Sequence, residues 1–285
     1  MKNSRNHNRT TRRLFVIISA VSALAVAGGI SFFLLGGDGE ETKDREEKLC
    51  WSLVPAESHN STGSLKDCGD ALEVAMTGSP AGQKKPDDNV GMLDSEHAAV
   101  TENVVKTYAD PKVAAIPGEI RGNLANALTY YSSDIHEILS IQVDFSSPEF
   151  STKPNDLDIE RSDVSGFIAA IARDSEAFDV VYDAQMRHVA HEVNTLTRAE
   201  LTRKPSGNTD RARGVARAVG ASAGTLYGAR ITGGDKETDA ISSRYGWPHL
   251  EKLLQARCNQ LDAPKDSERV QEIYSLARSS FNDWD

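Results

Sequence analysis

From Leu14 to Leu35 the chain runs through twenty-two consecutive residues without a charge, and beyond Gly36 the pattern changes to short apolar stripes at helical spacing. About twenty apolar residues span a bilayer as a helix, so the first segment predicts a transmembrane helix over residues 14–36. Lys2, Arg5, Arg9, Arg12 and Arg13 precede it with no acid among them. That asymmetry predicts a cytoplasmic basic tail at 1–13 and places everything after the membrane outside. A cleaved signal peptide fits less well. Its apolar stretch is typically about 7 to 15 residues, and a cut after Ala25 or Ala27 would leave Gly28 to Leu35 as an exposed apolar tail.

Residues 37–63 read as a linker and Cys-containing segment. Gly36 to Lys48 is charge-rich without apolar periodicity, which predicts a spacer, and Leu49 to Val54 is a brief apolar patch around Trp51. The helical domain is expected over 64–285. Ser64 is placed to N-cap a helix through Leu65, Leu72, Val74 and Met76, which Gly78, Ser79 and Pro80 stop. Val100, Val104 and Tyr108 share a helical face that ends before Pro111. Pro117 opens a stripe of Ile120, Leu124, Leu128, Tyr131, Ile135 and Ile138 at spacings of three and four.

Further along, Ser162 is read as the cap of a helix carrying Val164, Phe167, Ile168 and Ile171. Asp174 or Ser175 starts a long one with Phe178, Tyr182, Val189, Val193 and Leu196. Small residues fill Thr209 to Ile231, and two last helices are expected at Pro248 to Leu261 and Ser267 to Trp284. No segment alternates as a strand. The fold class that follows is all-α, a bundle of about six to eight helices outside the membrane. Residues 141–161, with Pro148 and Pro154, form the longest expected loop, of a length that is often functional.

Composition agrees with helices and narrows the partners. Aromatic residues are 6% of the chain, and the net charge of -10 becomes about -15 once the five cations of the N-terminal tail are set aside. An acidic exterior repels phosphates, which excludes nucleic acid as a partner. Of three cysteines, Cys50 and Cys68 lie in one short segment. A disulfide between them is favoured over Cys68 with Cys258, and closing a loop of that size is worth about 3 kcal/mol.

Three groups of residues carry candidate chemistry. His188, His191 and Glu192 lie on one long helix, but the order of a zinc-protease motif is absent, so solvated histidines are the expectation. Gly220, Gly224 and Gly228, with Gly214, Ala218 and Ser222 offset, predict close helix packing; Arg211, Arg213, Arg217 and Arg230 argue against insertion in a membrane. Asp134, His136 and Glu137 beside Tyr130 and Tyr131 could supply a general base, yet no nucleophile elbow accompanies them. Catalytic, cofactor and metal residues are therefore not assigned. Asn60, Ser61 and Thr62 match a glycosylation triplet too short to weigh.

Three stretches together resemble a known family: the run from Ala71 to Pro80, the segment Glu119 to Ser140 with its Tyr-Tyr-Ser-Ser-Asp-Ile-His-Glu-Ile-Leu-Ser, and Gly166 to His191. The resemblance is to an uncharacterised helical domain of actinobacterial proteins, often found C-terminal to WXG100-like modules in longer chains. It implies a helical fold and a bacterial origin and supplies no catalytic residue. Here an anchor and the cysteine segment stand where that N-terminal module would be.

The expected function is that of a single-pass, membrane-anchored interaction protein at the cell surface, not an enzyme, with an unidentified protein partner and a link to secreted effector or immunity systems. The alternative is a cell-envelope enzyme with a site near the 141–161 loop. A deep polar pocket joining that loop to His136 or His188 would favour the enzyme. An exposed apolar patch would favour the binding module.

Overall fold

Five of the helix starts among the described residues are set by short polar side chains, and one helix end by a left-handed glycine. Ser64 and Asp67 cap the second helix reciprocally: the Ser64 amide donates to the Asp67 carboxylate at 2.8 Å, and the Asp67 amide donates to the Ser64 hydroxyl at 3.3 Å. Gly78, at φ 66°, ends it with its amide on the Val74 carbonyl, a conformation in which a Cβ would be strained. Asp174, Thr197, Asp210 and Ser267 each place a side-chain oxygen on the amides of the following first turn.

The computed structural model describes residues 39–58, 63–83, 95–112, 114–140, 143, 157–203, 210–234 and 239–284. The elements in order are α1 (Gly39–Leu53), a 3-10 turn (Ala56–Ser58), α2 (Leu65–Thr77), α3 (Ser95–Ala109), α4 (Gly118–Thr129) and α5 (Ser132–Leu139). They continue with α6 (Arg161–Ile171), α7 (Ser175–Thr195), α8 (Arg198–Thr202), α9 (Arg211–Gly233), α10 (Asp239–Tyr245), α11 (Trp247–Gln260) and α12 (Glu268–Asn282). The fold is all-α, with no strand among the described residues.

Twelve α-helices among the described residues exceed the six to eight expected, for two reasons. The stripe from Pro117 is two helices: the chain leaves helical geometry at Tyr131, φ -101° and ψ 20°, where the Tyr131 hydroxyl donates to the Met76 carbonyl at 2.6 Å. The second reason is that α1, α8 and α10 are too short or too charged to show a stripe. The expected spacer at Gly36 to Lys48 is largely α1, whose last turns bury Cys50, Trp51 and Leu53. The α6 cap is Glu160, not Ser162, which lies inside the helix.

The residues from Gly39 onward make one unit. At its centre runs α9, in contact with α5, α6, α7, α8, α10, α11 and α12. From Val215 to Arg230 it is buried almost without interruption, which only a helix of small residues can achieve between so many neighbours. A Cβ on Gly220 would overlap the Ala277 carbonyl of α12, one on Gly224 the Phe281 carbonyl, and one on Gly228 the Trp284 ring. These three glycines form the groove in which α12 lies. A second tie joins α2 to α4, where buried Glu73 accepts from Asn123 at 2.8 Å, from Asn126, and from the Gly82 amide at 2.7 Å.

Cys50 and Cys68 are bonded, joining α1 to α2, and Cys258 is a buried free thiol; the Cys68 to Cys258 alternative is thereby excluded. No helix among the described residues is long and apolar enough to cross a membrane. The expected transmembrane segment at 14–36 and the basic tail at 1–13 lie outside the described residues, as does most of the 141–161 loop.

Candidate functional site

Among the described residues, chemistry-bearing side chains gather in several places, two of which bear on the expectations above. The first is the groove between α11 and α12, a helical hairpin closed by the turn at 261–267. Trp247, Glu251 and Gln255 recur every four residues on α11, and Gln271, Tyr274 and Arg278 answer them from α12. The cleft between the two rows has a volume of about 440 Å³, within the range of ligand sites. Lys265 and Asp266 close its end at the turn.

At the opposite end the Arg278 guanidinium carbon lies 5.8 Å from the centre of the Trp247 ring, a cation over an aromatic face. Trp247 is itself fixed edge-on against Phe281, ring centres 6.0 Å apart. The turn is held by the Gln271 amide on the Lys265 carbonyl at 2.8 Å and by the Ser267 cap on Val270. Behind the cleft the Cys258 thiol sits beside the Tyr274 hydroxyl, and burial pushes that thiol up from its ordinary value.

The second place is the contact of α5 with α7. His136 is fully buried, and its ring centre lies 4.7 Å from that of His188. Burial, reinforced by the neighbouring His188, holds His136 well below the usual imidazole range, so it is neutral. Burial together with the charges of Asp134 and Glu192 pushes Glu137 up to about 7. Burial raises Glu192 as well, opposed by His191 and Arg211.

The histidine expectation is thus corrected in part. His188 is half-buried against His136 and not a solvated helix residue, whereas His191 is exposed. Among the described residues no three His, Cys, Asp or Glu side chains converge as a metal site. His136 itself is sealed from solvent.

Among the described residues, the cleft is walled by α11, α12 and the turn between them, and His136 is not among those that line it. Large exposed hydrophobic residues among the described ones are Val74 and Val180, on different helices. The α11–α12 groove was missed in the sequence because each of its rows looks like one face of an ordinary surface helix.

An all-α fold with a disulfide linking its first two helices is therefore the class that the coordinates define. The chain matches no protein-family model, no curated protein and no solved structure.

Proposed function

We propose that this chain is a single-pass, membrane-anchored module whose helical domain lies outside the cytoplasmic membrane and docks a protein partner. The observation that carries the docking role is the side-chain set of the α11–α12 cleft, where Trp247, Tyr274 and Arg278 line one open groove. Tryptophan, tyrosine and arginine dominate binding energy at protein interfaces, because each combines a large apolar surface with a polar handle. The uncharged run Leu14 to Leu35 and the cations before it support the anchor and its orientation. The Cys50–Cys68 bond supports an oxidising exterior, where disulfides persist. The resemblance to an actinobacterial helical domain supports a bacterial origin, and a secreted effector or its immunity partner is proposed as the kind of protein docked.

One observation favours a second reading, an envelope enzyme with its site near the 141–161 loop. Glu137, raised to about 7, has the acidity of a general acid or base, and α5 leads directly into that loop. The burial of His136 weighs against it.

A photo-crosslinking residue at Gln255, in the full chain in its native membrane, tests the docking role. The expected result is one crosslinked species that disappears in Trp247→Ala and is not formed from Val180. Absence of any cleft-specific species overturns it. Orientation is read by protease protection: external protease should remove the domain from intact cells, and a protected domain overturns the assignment.

A further inference from the structure

The charges of the α11–α12 groove are arranged so that the surface complements itself. Arg278 lies at the Trp247 end, where its guanidinium is over that ring, and Glu251 follows on α11 one helical turn further in. Lys265 and Asp266 stand at the other end, at the turn. Each end of the cleft thus holds one cation and one carboxylate. All four residues are exposed, and among the described residues none of them enters an ion pair. Arg269 and Glu272, on the same α12 but outside the groove, are paired within the chain.

Two copies of one chain related by a two-fold axis present the same patch to each other. An axis running along the groove sets each side chain against its own counterpart, cation on cation and carboxylate on carboxylate. An axis across the groove exchanges its ends instead, so Arg278 faces Asp266 of the second copy and Glu251 faces its Lys265. Every charge then meets its opposite and none is left over. An isologous contact requires this balance of sign at the exchanged ends, whereas an unrelated partner can be met by a groove of either sign. Trp247 and Tyr274 supply aromatic surface to the same contact.

Resting on the docking role above, we infer that a second copy of this chain docks on the α11–α12 groove, antiparallel, with the pairs Arg278–Asp266 and Glu251–Lys265 each formed twice across the interface. The anchor read at 14–36 holds both copies in one membrane, which raises their effective concentration and lets a contact of modest size form. A paired groove is closed to any other protein, so a foreign partner gains access only where the copies part.

Two differently tagged copies of the full chain, expressed in one membrane with the photo-crosslinking residue at Gln255, test this. The expected product holds both tags. Glu251→Lys in both copies sets a lysine against Lys265 at each contact, and Lys265→Glu in both sets a glutamate against Glu251, so either should lower the product about tenfold. With E251K in one copy and K265E in the other, both contacts regain opposite charges and the product should return. That recovery also shows that both variants fold. Equal yields from all four combinations, or no recovery in the mixed pair, overturn the inference. A Gln255 species that lacks the second tag overturns it too and leaves the docking role standing, whereas absence of every Gln255 species removes the docking role as well.

Discussion

Arg269 of α12 grips Asp210, the N-cap of α9, with Nη2 at 2.5 Å from Oδ1 and Nη1 at 2.9 Å from Oδ2. The central helix is thus capped by a side chain that the last described helix holds in place. Arg269 also donates to the Glu200 carbonyl of α8 and to Glu272, so one nearly buried guanidinium joins three helices. Removing one partner of such a pair strands the other, and Arg269→Ala should cost about 3–5 kcal/mol in urea unfolding. The double variant Asp210→Asn, Arg269→Met should lose less than Arg269→Ala, because it leaves no stranded charge and keeps a capping side chain.

Gly224 and Gly122 make a matched pair of helical glycines. A Cβ at Gly224 meets the Phe281 carbonyl, a backbone atom that cannot swing aside, whereas one at Gly122 meets nothing within 4 Å. Gly224→Ala should destabilise by about 1–3 kcal/mol through overpacking, and Gly122→Ala should stabilise by up to about 1 kcal/mol. Denaturant midpoints of the two variants give opposite signs if α12 lies in the glycine groove of α9.

Breaking the Cys50–Cys68 bond should release α1 preferentially. The bond closes a loop with a sequence separation of 18, and its loss is expected to cost about 3 kcal/mol in the chain-entropy model. With dithiothreitol, the thermal midpoint should fall and limited proteolysis should cut first between Gly39 and Ser64. The Cys50→Ser, Cys68→Ser variant should behave the same without reductant.

The α5–α7 contact gives a pH dependence whose sign follows from Glu137. Its folded value, about 7, lies above the ordinary 4.5, so the folded state holds the proton more tightly between those limits. The contribution is fully present below about 4.5 and is lost as pH rises through about 7. Glutamine mimics the protonated acid, so Glu137→Gln should raise the thermal midpoint at pH 8 and leave it nearly unchanged at pH 4.5. His136 works in the opposite direction. Its lowered folded value means that unfolding takes up a proton below about 6.5, so stability falls there on acidification. His136→Gln should flatten that acid limb.

Much of the helical content was legible because local chemistry and apolar period agree. Ser64 with Gly78, Asp174, and Ser267 all cap helices at the ends the sequence marks. The Pro117 stripe misled because both of its halves keep the same spacing, and the break at Tyr131 comes from a tertiary bond to Met76 that no local pattern encodes. In α1 the charged first turns hide a C-terminal end that is buried through Cys50, Trp51 and Leu53.

The candidate sites were less legible, for a related reason. His136 and His188 sit on helices far apart in sequence, and nothing near either one signals that their rings meet. The facing of Trp247 and Arg278 likewise arises from the pairing of two helices, whereas the separate rows look like solvated faces.

The bridge between α1 and α2 also fixes how the domain bears a load. Tension applied at Gly39 can peel α1 only as far as residue 49. At Cys50 the force passes through sulfur into Cys68, and the backbone between the two cysteines is relieved of it. Strain then enters α2, whose Glu73 and Met76 are fastened to Asn123 and Tyr131. A pull from that end is shared by several helices at once, and the bond works as a mechanical stop.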